Sequence, residues 1–323
     1  MQMLCKDSEK NFLCSKRSEE KKVKTSAMMP QTPLTFALFG SVYQSTDSDF
    51  LHQLFSCLHE KGAHVLVEEA YLAFVNKTLG KHNYALTSFK DLDVTPHFVV
   101  SIGGDGTLLR TASKVMEREV PIIGINTGRL GFLADTLPSY ISEVIDSIYA
   151  GTYTVERHSA LEIKTIGEEL NMHSYALNEV ALLKRDMASM ISIDTFVDDE
   201  HLITYQSDGL IVSTPTGSTA YNLSNGGPII DPVASVFCLT AVAPHSLSVR
   251  PMIISDRSKV HLKVHSRSHN YLVAIDGNSK ALQDTTEVII SKAPYTVNIV
   301  RRYNKHYFDV LKDKMNWGKD QRK

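Results

Sequence analysis

The chain has 323 residues, with 34 Lys and Arg against 36 Asp and Glu, a net charge of -2, and 43% hydrophobic residues. At about 100 to 200 residues per domain this is material for two domains, or one large one, with a real core and no need of staples. The even charge argues against a protein devoted to nucleic acid or anionic membranes, which carries a basic excess, and no apolar run reaches the roughly 20 residues of a membrane helix.

The cysteines Cys5, Cys14, Cys57 and Cys238 form no C-x-x-C pair and no zinc spacing. A reducing, cytoplasmic compartment is expected, with Cys57 and Cys238 as small buried hydrophobes.

Residues 1–33 read as a disordered basic tail. Up to residue 27 it holds seven Lys and Arg, four Asp and Glu and no periodicity, and it lacks the apolar stretch of a secretory signal. Met28 and Met29 stand just before the first strand-like segment, as alternative starts would.

From Thr35 strands and helices alternate. Thr35 to Phe39 reads as a buried strand, and Asp47 to Lys61 as a helix with Phe50, Leu51, Leu54, Phe55 and Leu58 on one face. A strand over 63–67, a helix carrying Leu72, Val75 and Leu79, a strand over 97–102, a short helix after Gly106 and a strand over 121–125 follow. This order predicts a doubly wound, mostly parallel α/β sheet. A further helix is expected over Pro138 to Ala150.

After Gly151 the period changes to two, in 160–165, 174–183, 190–197, 201–205, 259–264, 271–275 and 287–291. That predicts an all-β, sandwich-like second domain. Asp198-Asp199-Glu200 is the expected tip of a hairpin, and His306 to Trp317 an amphipathic helix returning to the first domain. The expected division is an α/β domain over 34–136, with 300–323 returning to it, and a β-rich domain over 137–299.

The strand over 97–102 runs into Gly103-Gly104-Asp105-Gly106-Thr107-Leu108-Leu109-Arg110. A glycine turn between a strand end and a helix N-terminus is where a doubly wound sheet binds phosphate. The spacing is not that of a Walker loop. Asp105 is the odd member, since a carboxylate repels phosphate. It reads as a metal ligand, a general base for a hydroxyl nucleophile, or a helix cap.

The second dense stretch is Ser207-Asp208-Gly209, then Thr214 to Pro228, rich in hydroxyls, glycines and amides around Tyr221. It cannot be a central strand, and it suits an adenine or nicotinamide ring with its ribose. Asn178-Glu179 lies inside a strand pattern, where neighbouring side chains face opposite ways. Both can reach one ligand only at a bulge or strand end.

With these residues in order, the chain from about Thr35 to Trp317 resembles the ATP-NAD kinases, which make NADP from NAD. The matching motifs are GGDGT at 103–107, NE at 178–179, DG at 208–209 with TPTGSTAYNLSNGGP at 214–228, and IDG at 275–277; TGRLGFL at 127–133 is also similar. GGDGT is shared with lipid kinases, whereas the TPTGSTAY segment is far more specific.

The resemblance implies a GGDG-bearing α/β domain and a β-sandwich-like NAD-binding domain. It implies Asp105 as the base for the adenosine ribose 2′-hydroxyl and Gly103, Gly104, Gly106 and Thr107 around the phosphates. A divalent metal, Mg²⁺ by expectation, screens the ATP triphosphate. For NAD it implies Asp105, Gly106, Arg110, Phe132, Asn178, Glu179, Asp208, Thr219, Ala220, Tyr221, Asn222, Leu223, Ser224 and Asn278. Asp208 is expected to come from a neighbouring subunit, hence a homodimer or homotetramer.

At the position two before Asp208, where some family members have an arginine tied to preference for NAD over NADH, this chain has Gln206. The redox form and the choice between ATP and polyphosphate are left unassigned. Two rival readings are a lipid kinase, poorly served by the polar loop at 214–227, and a non-catalytic NAD-binding regulator, which has no use for Asp105. His261, His265 and His269 are four apart in a strand, roughly 13 Å per step, and read as separate surface histidines.

Overall fold

The structure, a computed structural model, describes residues 33–43, 47–128, 131–186, 189–302 and 307–317. The expected tail lies outside the described residues except for residue 33, and with it Met28, Met29, Cys5 and Cys14.

The N-terminal half runs β1 (Thr35–Gly40), α1 (Ser48–Glu60), β2 (His64–Glu68), α2 (Glu69–Leu79), β3 (Leu86–Phe89), β4 (Phe98–Gly103), α3 (Asp105–Val115), β5 (Ile122–Asn126) and α4 (Ile141–Tyr149). Its strands pair in parallel in the order β3-β2-β1-β4-β5. β4 and β5 are buried throughout and β1 nearly so, as strands covered by helices on both faces are. The side chain of Asp47 caps α1, and all five residues expected on its apolar face are buried.

α4 buries Ile141, Val144, Ile145 and Ile148 in the core that also holds Leu51, Leu54 and Phe36. The expected domain change at 136/137 precedes this helix. Packing instead joins 137–149 to the α/β body, since the apolar stripe of α4 has its partners there.

The second half is β-rich: β6 (Thr154–Ile166), β7 (Tyr175–Ala176), β8 (Glu179–Lys184), β9 (Ile191–Val197), β10 (Glu200–Ser207) and β11 (Gly209–Ser213). The one-turn α5 (Tyr221–Ser224) follows, then β12 (Val236–Val242), β13 (Met252–Ser255), β14 (Val260–His265), β15 (Asn270–Ile275), β16 (Asn278–Gln283) and β17 (Glu287–Arg301), with α6 (Tyr307–Met315) last. A six-stranded antiparallel sheet, β13-β12-β11-β8-β15-β16, faces the antiparallel part of the larger sheet. Leu182, Leu210 and Phe237 from one side meet Ile193, Leu262 and Ile290 from the other in one core, the expected sandwich.

β17 joins the halves. It pairs with β6 along most of its length, with β14 near its start and with β5 at Ile299↔Ile122, so the larger sheet of 11 strands runs through both domains. The β9–β10 hairpin turns at Asp198 and Asp199, whose φ values of 51° and 68° suit Asp in a tight turn.

Candidate active site

β4 ends at Gly103, Gly104 is the N-cap of α3, and Asp105, Gly106 and Thr107 form its first turn. The strand order reverses between β1 and β4, so this turn stands at the topological switch point of the sheet. Asp105 does not cap the helix, because the N-cap Gly104 has no side-chain bond. Its carboxylate turns to a segment far along the chain. Oδ2 accepts the Phe132 N–H at 2.8 Å, and Oδ1 accepts those of Leu133 and Ala134 at 3.1 and 2.9 Å. A Cβ on Gly131 would lie 1.9 Å from Oδ1, so only glycine lets this segment come so near.

A cleft of about 1000 Å³ opens beside this turn. Gly106, Arg110 and Ser113 of α3 form one wall, and Tyr175, Asp276, Asn278 and Lys280 belong to the facing one. Arg110, the expected phosphate contact, donates to Gly40 O at 2.8 Å and lies 3.3 Å from both oxygens of Glu68, which Lys114 also pairs.

The pattern expected as one strand over 174–183 is broken into β7 and β8. Asn178 falls in the gap and Glu179 opens β8, the strand end that lets both serve one ligand. Asp276 makes this geometry. Its carboxylate accepts the amides of Leu177, Asn178 and Glu179 at 2.8, 2.8 and 3.1 Å, and its own N–H donates to Glu179 O. The backbone of Asp276 is left-handed, φ 46°, at the turn between β15 and β16.

Burial first, then the negative charge of Asp276, pushes the Glu179 carboxyl up to about 8, against one bond from the Tyr221 amide. Its Oε2 is buried with no partner. A protonated Glu179 at the start of β8 is thus a hydrogen-bond donor as well as an acceptor at neutral pH.

In the stretch from 214 to 228, Thr216–Thr219 forms a 3-10 turn and Tyr221–Ser224 is α5. A Cβ on Gly217 would lie 2.1 Å from Asn178 O, so the loop seats directly on the residue it serves. Thr219, Ala220 and Leu223 are half-buried, while Tyr221 and Ser224 are exposed. Asn222 is wholly buried. Its amide bonds to Ser218 O and Pro228 O and accepts from Thr240 Oγ1 at 2.6 Å.

Phe132 is half-buried, with Lys314 Nζ of α6 5.4 Å from its ring centre. Asp208 is not brought to this cluster. It pairs with Lys184 at 2.7 Å, at the far end of β8 from Glu179, roughly 17 Å away at a strand's rise per residue.

The three histidines do not converge. His261, His265 and His269 each meet a different carboxylate, of Glu287, Asp194 and Asp284. Among the described residues no group of three or more His, Cys, Asp or Glu could hold a metal ion. Sequence reasoning missed the amide grips of Asp105 and Asp276 and the need for Gly131. No local pattern signals a bond between residues 27 or 98 positions apart.

Both halves of the chain match family models, described as the ATP-NAD kinase N-terminal domain over 12–153 and the ATP-NAD kinase C-terminal domain over 177–302. The chain belongs to the ATP-NAD kinase family. The NAD kinase of Bacteroides fragilis is 47% identical over 289 residues, covering 90% of this chain and all of that one. That of Porphyromonas gingivalis is 39% identical over 282 residues, covering 87% and 97%.

Among solved structures, an NAD kinase from Archaeoglobus fulgidus in complex with ATP is 26% identical, with a TM-score of 0.68 over 88% of this chain and 99% of that one. Yeast NADH kinase complexed with NADH shares the fold, with a TM-score of 0.81 over 90% of each chain at 22% identity. The N-terminal family domain runs past α4, in line with its packing, and the cleft of this kinase-family chain lies between the two matched domains.

Proposed function

We infer that the protein is an NAD kinase, a phosphotransferase converting ATP and NAD to ADP and NADP, and that the cleft beside α3 is where it works. Asp105 carries this reading, as a carboxylate fixed by three amides at a helix N-terminus on the switch point of the sheet. Two carboxylate oxygens offer about four lone-pair sites. The amides fill two on Oδ1 and one on Oδ2, so Oδ2 keeps the site that takes the proton of the ribose 2′-hydroxyl. As that O–H breaks, the oxygen attacks the γ-phosphorus, and the bond from phosphorus to the β,γ-bridging oxygen gives way to ADP.

The glycine turn and the first N–H groups of α3 offer donors to the phosphates. Arg110 supplies a positive charge beside them, and Mg²⁺ belongs to the ATP as substrate. Asn178 and Glu179 hold the ribose hydroxyls. Tyr221 and its neighbours Thr219, Ala220 and Ser224 face the bases, Phe132 packs against the ligand, and Asn278 closes the opposite wall. Asn222 and Leu223 act by shaping the loop, as the inward bonds of Asn222 support.

Asp208, remote from Glu179 in its own chain, serves a neighbour's site in a homo-oligomer. The exposed Met252 and Ile253 of the edge strand β13, with Leu247, offer an apolar face for such an assembly. Among the described residues no helix is long and apolar enough to cross a membrane, and a cytoplasmic enzyme fits the free Cys57 and Cys238.

Asp105→Asn tests the reading. Turnover should fall about 10² to 10⁴-fold, the usual worth of a positioned base, while NAD binding by calorimetry persists. Parental turnover in the variant would refute it, and loss of binding with turnover would make Asp105 a binding group only.

A further inference from the structure

Next to the segment that holds Asp105 lies a charge cluster, built on a buried arginine, that none of these roles uses. Arg301 ends β17 and is only 5% exposed. Its Nε donates to Glu156 Oε2 at 2.7 Å, while Nη1 donates to the carbonyl of Leu133 at 3.2 Å and stands 3.2 Å from Asp135 Oδ2. Leu133 is one of the residues whose N–H holds Asp105.

On the other side of the cluster, Glu156 Oε2 lies 3.3 Å from His158 Nε2, which is outside hydrogen-bond geometry. The wholly buried His158 shares a 2.8 Å bond through Nδ1 with Thr216 Oγ1, at the start of the turn that leads to Thr219, Ala220 and Tyr221. Contacts thus run from the base, through Leu133, Arg301, Glu156 and His158, to the nucleotide loop.

Stability alone accounts poorly for such a cluster. Burying a guanidinium with carboxylates costs desolvation, and an apolar replacement of a buried ion group is often neutral or stabilising. What the planar fork supplies is direction, since its donors meet several acceptors at fixed angles. Its position is also apt, because β17 is the strand that both domains share. Burial alone pushes the Glu156 carboxyl up, but its contacts with His158 and Arg301 outweigh that and hold it at about 2, so an anion faces the guanidinium throughout the neutral range.

We propose that Arg301 is a positioning residue for phosphoryl transfer. It fixes the 133–135 segment that orients Asp105 against the β6 strand on which the 216–221 loop rests, so that base and acceptor ribose keep one register. This rests on reading Asp105 as the base.

Arg301→Lys is the first test, because it keeps the buried charge but one ammonium cannot serve Glu156, Asp135 and Leu133 O together. Should that variant fold poorly, Arg301→Met with Glu156→Gln and Asp135→Asn removes the guanidinium together with the two carboxylates that face it. The full-length protein is assayed for kcat, KM for NAD and ATP, NAD affinity by calorimetry, and Tm. We expect kcat to fall at least about tenfold, the scale of a small misplacement of reacting groups, with NAD affinity within about threefold of the parent. A smaller fall in kcat, whatever the Tm, overturns the proposal, as does a loss of NAD affinity as large as the loss of kcat. Absence of NADP from the parent itself would sink the reading of the site, and this proposal with it.

Discussion

Asp105, next to Gly106 of the cleft, and Asp276, in its facing wall, use the same device. Each carboxylate accepts three consecutive backbone amides, at 132–134 and at 177–179. Bonds of this kind, to a charged acceptor, are the stronger class and fix direction. The first should fail if the glycine beside it is filled. Gly131→Ala places a Cβ where Asp105 Oδ1 stands, so kcat should drop on the order of 10²-fold with NAD affinity nearly kept, as steady-state kinetics with calorimetry would show. Unchanged kcat would mean that the grip is incidental.

Glu179 gives a second residue-scale prediction, about pH. Its carboxyl is raised from the ordinary carboxylate range to about 8 in the folded protein, so between those limits the folded state binds the extra proton. Its contribution to stability is therefore full below about 4.5 and is lost as pH rises towards 8. The buried His158, lowered by burial, slopes the other way, losing stability as pH falls below its ordinary range. The difference between parent and Glu179→Gln isolates the carboxyl. The variant should lack the decline in Tm between pH 5 and 8, and an identical decline in both would place the titrating group elsewhere.

At the scale of elements, what the sequence makes legible follows from local physics. The apolar stripe of α1, the buried strands β1 and β4 and the alternation of β9, β14 and β15 are written in adjacent residues, and the structure has them. β11 and β12 escape a reading by alternation because they are central strands whose burial is nearly continuous. β7 is two residues long, and β3 has little burial to announce it. The strand-end placement of Asn178 and Glu179 was legible as a requirement. Its cause, a carboxylate 97 to 99 residues later in the chain, was not.

α4 shows the limit of a domain boundary drawn from periodicity, since only packing tells which body a helix joins. Ile145 is fully buried against α1 and β1. Ile145→Ala should cost about 2 to 5 kcal/mol by chemical denaturation and leave the kinetics of the folded protein unaltered. A loss under about 0.5 kcal/mol would mean that α4 is a peripheral element, as ordinary surface substitutions are.

At the scale of the molecule, β17 carries one sheet through both domains. Asp208, proposed above to serve a neighbour's site, stands at the far end of β8 from Glu179. If it serves a neighbour, Asp105→Asn and Asp208→Ala should each be impaired alone. Protomers of the two, unfolded together and refolded as mixed oligomers, should regain activity, because some sites then receive both native residues. No recovery on mixing, with oligomers confirmed by light scattering, would confine Asp208 to its own chain.

Whether this cleft phosphorylates NAD is decided by a direct assay of the product. Purified protein is incubated with NAD, ATP and Mg²⁺, and NADP is read by an NADP-specific dehydrogenase, alongside Asp105→Asn and reactions with NADH or polyphosphate substituted. NADP is expected from the parent and almost none from the variant. No NADP from folded protein with any donor, or equal amounts from parent and variant, would contradict that expectation.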